Sequence, residues 1–396
     1  MKVKALDLFS GCGGLSLGLK AAGIDVLWAN ELDPNASATY RSIHSETQLF
    51  EGDANTFLRT IKKSGADLPA PGDVDLLAGG PPCQGFSGYN RHRRPDDPRN
   101  SLLETFLGFV DFLKPPHVLI ENVPGMLSMG DGTVVRSLLE TLKGFGYSTR
   151  LGVLQAGHYG LPQNRWRVFV WGASSQDVLP DFPFPTHEFP RTTVFGATKF
   201  RDAVMKAPKV SENMFWKLDP KVTVWDAIGD LPEIVNGARQ EIIPYGLAAS
   251  SAYQKRLRGN ASLVYDHVTN MLGDVQLERC KAVPKRPGSG WLDLPERLKP
   301  ANLVRHGDKR YNNRFGRLDW AGTFNTILTK NEPYWSAVFH PDQDRLISVR
   351  EAARAQSITD ETRFHGSLLS KYRQVGNAVP VKLAYSLAQS IKDILN

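Results

Sequence analysis

The residues best suited to chemistry lie in Gly79-Gly80-Pro81-Pro82-Cys83-Gln84-Gly85-Phe86-Ser87. A cysteine thiolate is a strong nucleophile, so Cys83 is a candidate for covalent catalysis. The turn follows Asp73-Val74-Asp75-Leu76-Leu77-Ala78, an apolar run that reads as a buried strand. Open α/β sheets bind ligands at the carboxyl ends of such strands. Two prolines stiffen the turn and would aim the thiol. A lone buried cysteine is more often structural, so the neighbours must decide. A second strand, His117-Val118-Leu119-Ile120, ends in Glu121-Asn122-Val123-Pro124-Gly125. Glu121 at a strand end is a candidate general acid. Arg165 and Arg167 in Gln163-Asn164-Arg165-Trp166-Arg167 lie two apart and would face one way in an extended segment.

A further group opens the chain. Val3–Leu8 reads as a strand, followed by Phe9-Ser10-Gly11-Cys12-Gly13-Gly14 and a helix ending at Gly23. Bare backbone at a helix start allows close approach of a nucleotide-type ligand. The strand Asp25–Asn30 runs into Glu31, and Asp53 follows another short apolar run. Acids after successive strands can accept hydrogen bonds from a ribose, with Phe9 available to stack on a purine. An adenosyl ligand fits this set. No Walker Gly-Lys-Ser/Thr occurs, which disfavours a triphosphate.

The elements that position these residues alternate as strand and helix up to about residue 180. Leu102–Leu113 and Thr133–Lys143 read as helices, and Tyr147–Leu154 pairs with Val168–Trp171 as a hairpin. Pro180, Pro183, Pro185 and Pro190 then crowd a linker. Residues 181–339 lose the alternation and read as an irregular, mostly non-helical recognition region with Trp216, Trp225, Trp291, Tyr311, Phe315 and Trp320. Alternation returns over 340–396. Ser348 and Glu351 form a capping box, and a last helix carries the stripe Leu383, Ala384, Leu387, Ala388 and Ile391. That helix is expected to pack on residues 1–180.

Composition narrows the class. The 396 residues are 41% hydrophobic with a net charge of +7. Lys255–Arg317 holds fourteen lysines and arginines against six acids, an excess of eight that suits a polyanion. Arg91 and Arg93 add a basic loop beside Cys83. Cys12, Cys83 and Cys280 have no metal spacing and suggest no disulfide framework, so no metal and a reducing compartment are expected. No apolar run has the length of a signal peptide core or a membrane span, so a non-secreted protein with no membrane partner is expected.

Taken together, Asp7-Leu8-Phe9-Ser10-Gly11-Cys12-Gly13-Gly14, Pro81-Pro82-Cys83-Gln84, Glu121-Asn122-Val123, Gln163-Asn164-Arg165-Trp166-Arg167, Arg350-Glu351-Ala352-Ala353-Arg354-Ala355-Gln356 and Gly376-Asn377-Ala378-Val379-Pro380 resemble the DNA cytosine-5 methyltransferases in the order of that family's motifs. The resemblance implies a doubly wound mixed α/β sheet that uses S-adenosyl-L-methionine (AdoMet), with a smaller irregular target-recognition domain. The expected division is 1–180 catalytic, 181–339 target recognition, and 340–396 returning to complete the catalytic domain. It implies a cofactor pocket of Phe9, Gly11, Cys12, Gly13, Gly14, Glu31, Asp53, Ala54, Pro82, Leu102 and Asn377. Cys83 would attack the base, Glu121 would protonate it, and Arg165 and Arg167 would hold the ring carbonyl or flanking phosphate. Lys281, Lys285, Arg286, Lys309, Arg310 and Arg314, with Arg91 and Arg93, are the candidate contacts to double-stranded DNA. A monomer is expected.

Within that family the chain is similar to the eukaryotic maintenance and chromomethylase branch in Ser87-Gly88-Tyr89-Asn90-Arg91 and Phe315-Gly316-Arg317-Leu318-Asp319-Trp320, among others. It departs in having Cys280 alone where that branch carries zinc-binding cysteines in the recognition region. A catalytic domain without a preceding regulatory domain is expected, so a restriction–modification role stands beside an epigenetic one. The implied compartment is the nucleus in a eukaryote and the cytoplasm or nucleoid in a bacterium. Rival readings are a tRNA cytosine-5 methyltransferase, disfavoured by the long basic region, and a non-catalytic DNA-binding homologue, disfavoured by the presence of Cys83 and Glu121.

Overall fold

The computed structural model describes residues 2–63, 65, 67–82, 101–190, 194, 197–206, 217–306 and 312–395. Cys83, Arg91, Arg93, Lys309, Arg310, Trp216 and Tyr311 lie outside the described residues. The chain forms two compact units. The first takes Met1–Gly160, Trp166–Pro220 and Ala378–Asn396, and the second takes Leu161–Arg165 and Lys221–Asn377. The limits differ from the expected 180/181 and 339/340. Residues 340–377 cluster with the second unit, because their buried arginines find partners there.

The first unit is built on β1 (Lys4–Leu8), β2 (Asp25–Glu31), β3 (Gln48–Glu51), β4 (Leu76–Gly79), β5 (His117–Asn122), β6 (Tyr147–Gln155) and β7 (Trp166–Ser174). They form one sheet in the order β3-β2-β1-β4-β5-β7-β6. β3 to β5 along this order are parallel, and β7 runs antiparallel to both β5 and β6. The expected α/β class with a mixed sheet is observed. β4 and β5 are buried at every position, which is why they read as unbroken apolar runs. Helices α1 (Gly14–Ala21), α2 (Pro34–Ile43), α3 (Ala54–Lys62), α4 (Ser101–Leu113) and α5 (Thr133–Gly144) follow the parallel strands and flank the sheet. Phe57, Phe106, Phe109, Val118, Ile120 and Leu138 belong to the core.

The second unit holds α6 (Val224–Ile228), β8 (Ile242–Pro244), α7 (Ala252–Arg258), β9 (Leu263–Tyr265), α8 (Asp274–Ala282), α9 (Ala301–His306), α10 (Val349–Ala355) and α11 (Leu368–Asn377). β8 and β9 make a small antiparallel pair. Trp291 and Phe315, in the expected recognition region, are core residues beside Leu298 and Phe339. The last helix, α12 (Val381–Leu395), returns to the first unit and packs along α1. Its stripe Leu383, Ala384, Leu387, Ala388 and Ile391 is buried throughout. The two helices touch closely at Gly18, where a Cβ would come within 2.4 Å of the Ala384 Cβ.

Candidate active site

The glycine turn begins where β1 ends. Phe9 takes a left-handed φ of 57°, uncommon for a side chain of its size, and Gly11 has the same φ. Non-glycine residues in this region cluster at functional sites. The Gly11 amide donates to Glu31 Oε2 at 2.8 Å, and the Asp33 amide to Glu31 Oε1 at 2.8 Å. Burial raises the Glu31 carboxyl above its ordinary range, and these two amides oppose it. The turn is also held from below. His44 Nε2 lies 3.2 Å from the Gly13 carbonyl oxygen, and Gly13 has a φ of 90°. Any Cβ on Gly13 would strike that imidazole at 2.4 Å, and one on Gly14 would strike the Val379 carbonyl oxygen at 2.4 Å. Glycine is required at both positions, so the resemblance to a family motif has a steric cause here.

Asn30 joins the next strand to this edge. Its Nδ2 donates to the carbonyls of Phe50 and Gly52 at 3.0 and 2.9 Å. Asp53 therefore stands one residue beyond a tethered strand end. It is the N-cap of α3, with Oδ1 accepting from the Thr56 amide at 3.0 Å. Ala54 is buried in the core, while Pro82 and Leu102 are half-buried. Asn377, the last residue of α11, is exposed. A carboxylate pinned beside bare glycine backbone, an aromatic ring and a capping aspartate fit an adenosyl group. Around the Cβ position of Gly11 there is no atom within 4 Å, so the turn offers open space.

A second cluster forms at the ends of β4 and β5, which pair as Gly79 with Ile120. Glu121 Oε1 lies 2.8 Å from Arg167 Nε, and both side chains are largely buried. Arg167 also donates from Nη1 to the Trp166 carbonyl at 2.8 Å. A Cβ on Gly80 would lie 3.0 Å from Glu121 Oε2, so this carboxylate faces the turn that leads to Cys83. Asn122 Nδ2 donates to the Pro81 carbonyl at 3.1 Å. Its Oδ1 accepts from the Val123 amide at 2.8 Å. The asparagine thus ties the end of β5 to the backbone two residues before Cys83. Its place beside Glu121 was the only sequence signal for that role.

Two expected residues do not stand where the sequence placed them. Arg165 and Arg167, expected to act together, hold different partners. Arg165 is fully buried and donates Nη1 to the Ile327 carbonyl at 3.0 Å and Nη2 to the Gly376 carbonyl at 2.9 Å. Arg165 precedes β7 and belongs to the second unit, so the extended segment assumed for the pair does not include it. Arg314, expected on DNA, is also buried, with its guanidinium over the rings of Tyr334 and Trp335 at 4.9 and 5.6 Å. Arg286 is exposed but pairs with Asp293, while Lys281 and Lys285 are exposed. Both described thiols are buried. Burial pushes Cys12 and Cys280 up to about 12. Among the described residues no cluster of His, Cys, Asp and Glu could hold a metal.

The comparisons with known proteins agree with this geometry. The profile of the C-5 cytosine-specific DNA methylases matches residues 3–393. The chain belongs to that family. It is 36% identical to DNA (cytosine-5)-methyltransferase 4 of Arabidopsis thaliana over 98% of its own length and 28% of that protein's. It is also 36% identical to DNA (cytosine-5)-methyltransferase 1 of Mus musculus, over 99% of its own length and 28% of that protein's. The chain therefore spans little more than a quarter of these curated relatives. Among solved structures, a prophage-encoded E. coli protein described as a DNA modification methyltransferase superposes over the whole of both chains, with a TM-score of 0.69 and 25% identity. This family member carries its two clusters at the carboxyl ends of adjacent strands of one sheet, β1 to β3 for the glycine turn and its acids, β4 and β5 for Glu121.

Proposed function

We propose that the chain methylates carbon 5 of cytosine in double-stranded DNA. The observation that carries the reading is the Glu121–Arg167 pair facing Gly80 at the head of the Cys83 turn. When bound, AdoMet supplies an electrophilic methyl group. Phe9, Gly11, Glu31 and Asp53 would hold its adenosyl part, with Cys12, Gly13, Gly14, Ala54, Pro82, Leu102 and Asn377 as the family's further contacts.

Carbon 5 of cytosine is too poor a nucleophile to react unaided. Cys83, in the Pro81-Pro82-Cys83-Gln84 motif that resembles the family's, would be the nucleophile, and burial raises the other two thiols. Its thiolate would add to carbon 6 of a base swung out of the duplex, making carbon 5 enamine-like. The ring gains electron density in that step, and Glu121 would hold a proton at N3. Arg167 would keep Glu121 oriented and offer its positive charge to the ring carbonyl. Loss of the carbon-5 proton to water and departure of Cys83 would complete the reaction.

The likeness to plant and animal relatives supports a place near the maintenance branch, and the prophage-encoded structural relative supports a modification role. Bisulfite sequencing of DNA from cells that express the chain distinguishes the two. CpG-wide methylation favours the first, and a single longer site the second. The decisive test of the chemistry is covalent trapping on 5-fluorocytosine duplex DNA with AdoMet. Wild type should trap and Cys83→Ser should not, with at least a hundredfold loss of turnover. Residual turnover above about a hundredth in Cys83→Ser overturns the nucleophile, because losing one ordinarily costs far more. Methylation of tRNA in preference to duplex DNA overturns the substrate.

A further inference from the structure

The loop Leu161–Arg165 is a short excursion into the second unit between two stretches of the first. It is bonded there on every side. Asn164 receives a hydrogen bond from Thr326 Oγ1 on its carbonyl at 2.6 Å, and its amide donates to the Phe324 carbonyl at 2.7 Å. Gln163 Oε1 accepts from the Ile327 amide at 2.9 Å, and its Nε2 donates to the Ala355 carbonyl and to Gln356 Oε1, each at 3.0 Å. Gln356 passes the contact on, donating from Nε2 to the Val375 carbonyl at 2.8 Å. Arg165 then reaches the next residue, donating Nη2 to the Gly376 carbonyl. Gly376 itself has no room to shift, since a Cβ there would lie 2.5 Å from the Leu328 carbonyl carbon.

Two of these bonds, from Gln356 and from Arg165, end on Val375 and Gly376, just before the chain re-enters the first unit at Ala378. Three residues on from Gly376, the Val379 carbonyl oxygen abuts Gly14 of the glycine turn. We propose that Arg165 is a positioning residue for cofactor binding, and that it does not touch the base. Its bond to Ile327 anchors the guanidinium and its bond to Gly376 fixes the backbone before Asn377, and through the chain it steadies the Ala378–Val379 segment that supports Gly14. A guanidinium suits the task because its planar fork serves two carbonyls at once, which an ammonium cannot do in the same geometry. The inference rests on the proposed AdoMet-dependent reading.

Calorimetry with S-adenosylhomocysteine, alongside steady-state kinetics, tests it. Wild type must first bind S-adenosylhomocysteine; no binding overturns the cofactor reading itself. Arg165→Lys should then weaken that binding about tenfold and raise the KM for AdoMet alike, with kcat at saturating AdoMet within about threefold of wild type. The milder Gln356→Leu, which removes the bond to Val375 and the one from Gln163 but leaves both bonds of Arg165, should move affinity the same way by a smaller factor. It keeps the test open if Arg165→Lys does not fold. Combining either variant with Asn377→Ala should cost less than the product of the single losses, because both act on one turn. Unchanged S-adenosylhomocysteine affinity with a collapsed kcat would overturn the proposal and return Arg165 to the base.

Discussion

Glu31 and Asp53 look alike in the sequence, each an acid just after a strand, yet the structure holds them by different means. Glu31 is pinned at both oxygens by the amides of Gly11 and Asp33, so it shapes the glycine turn as well as offering a carboxylate. Asp53 caps α3 through one oxygen. Glu31→Ala should therefore cost S-adenosylhomocysteine more affinity than Asp53→Asn, which keeps an N-cap. The expected loss for Glu31→Ala is ~1–3 kcal/mol, with Asp53→Asn at the lower end or below. Calorimetry on both variants decides, and equal affinity in Glu31→Ala and wild type would refute this pocket.

Among the elements, α10 shows how a motif can be structural. Its capping box is present, with Ser348 Oγ accepting from the Glu351 amide at 3.0 Å and Glu351 Oε2 accepting from the Ser348 amide at 2.6 Å. Glu351 also takes a bidentate pair from Arg345, both bonds at 2.8 Å. Burial by itself would raise this carboxyl, but the Arg345 guanidinium outweighs burial and holds it well below the usual range. A depressed carboxyl stabilises the fold above its unfolded value, near ~4.3, and that stabilisation fades as pH falls toward the folded value. Burial pushes His267 and His340 down to about 4, so they stay neutral in the fold while the unfolded chain binds protons below ~6.5. Stability should thus decline from pH 6.5 to 4 through the histidines, and further below that through Glu351. Glu351→Gln should cost ~3–5 kcal/mol at pH 7, because it leaves Arg345 buried without its partner. In urea unfolding the gap to wild type should narrow below pH 4; a constant gap would refute the linkage. Arg354 is satisfied in the same way by Asp230 and Asp360, so the second arginine of this motif belongs to packing.

Over the whole molecule, net charge overstated the basic surface. Of the fourteen cations in Lys255–Arg317, Arg317 is buried on the carbonyls of Cys280 and His340, and Arg314 is stacked on aromatic rings. Arg279 donates to the Leu298 carbonyl and Arg258 lies over Tyr245. Lys281 and Lys285 remain exposed. If they lie on phosphates, Lys281→Gln with Lys285→Gln should flatten the log–log salt dependence of DNA binding by about two units, near 0.9 for each contact. Arg314→Gln should lower thermal stability and leave that slope unchanged. A double lysine variant with the wild-type slope would place the duplex elsewhere.

The sequence by itself determined the sheet class, the strand-end acids, the Gly11–Gly14 turn, the Ser348 box and the stripe of α12. Each is local: a periodicity of two or of 3.6, a cap, or a glycine turn, all set within a few residues of chain. Only the tertiary structure decided which arginines are free to act. Arg165 and Arg167 differ by two positions, yet one grips the backbone of Gly376 and the other holds Glu121. Arg314 and Lys285 look alike in a charge count, yet one is buried under aromatic rings. A guanidinium can pair with a carboxylate, a carbonyl or a ring, and the choice depends on groups brought near from distant sequence. The division into units depends on the same kind of contact, since residues 340–377 follow their buried ion pairs into the second unit while α12 follows its apolar stripe back to α1.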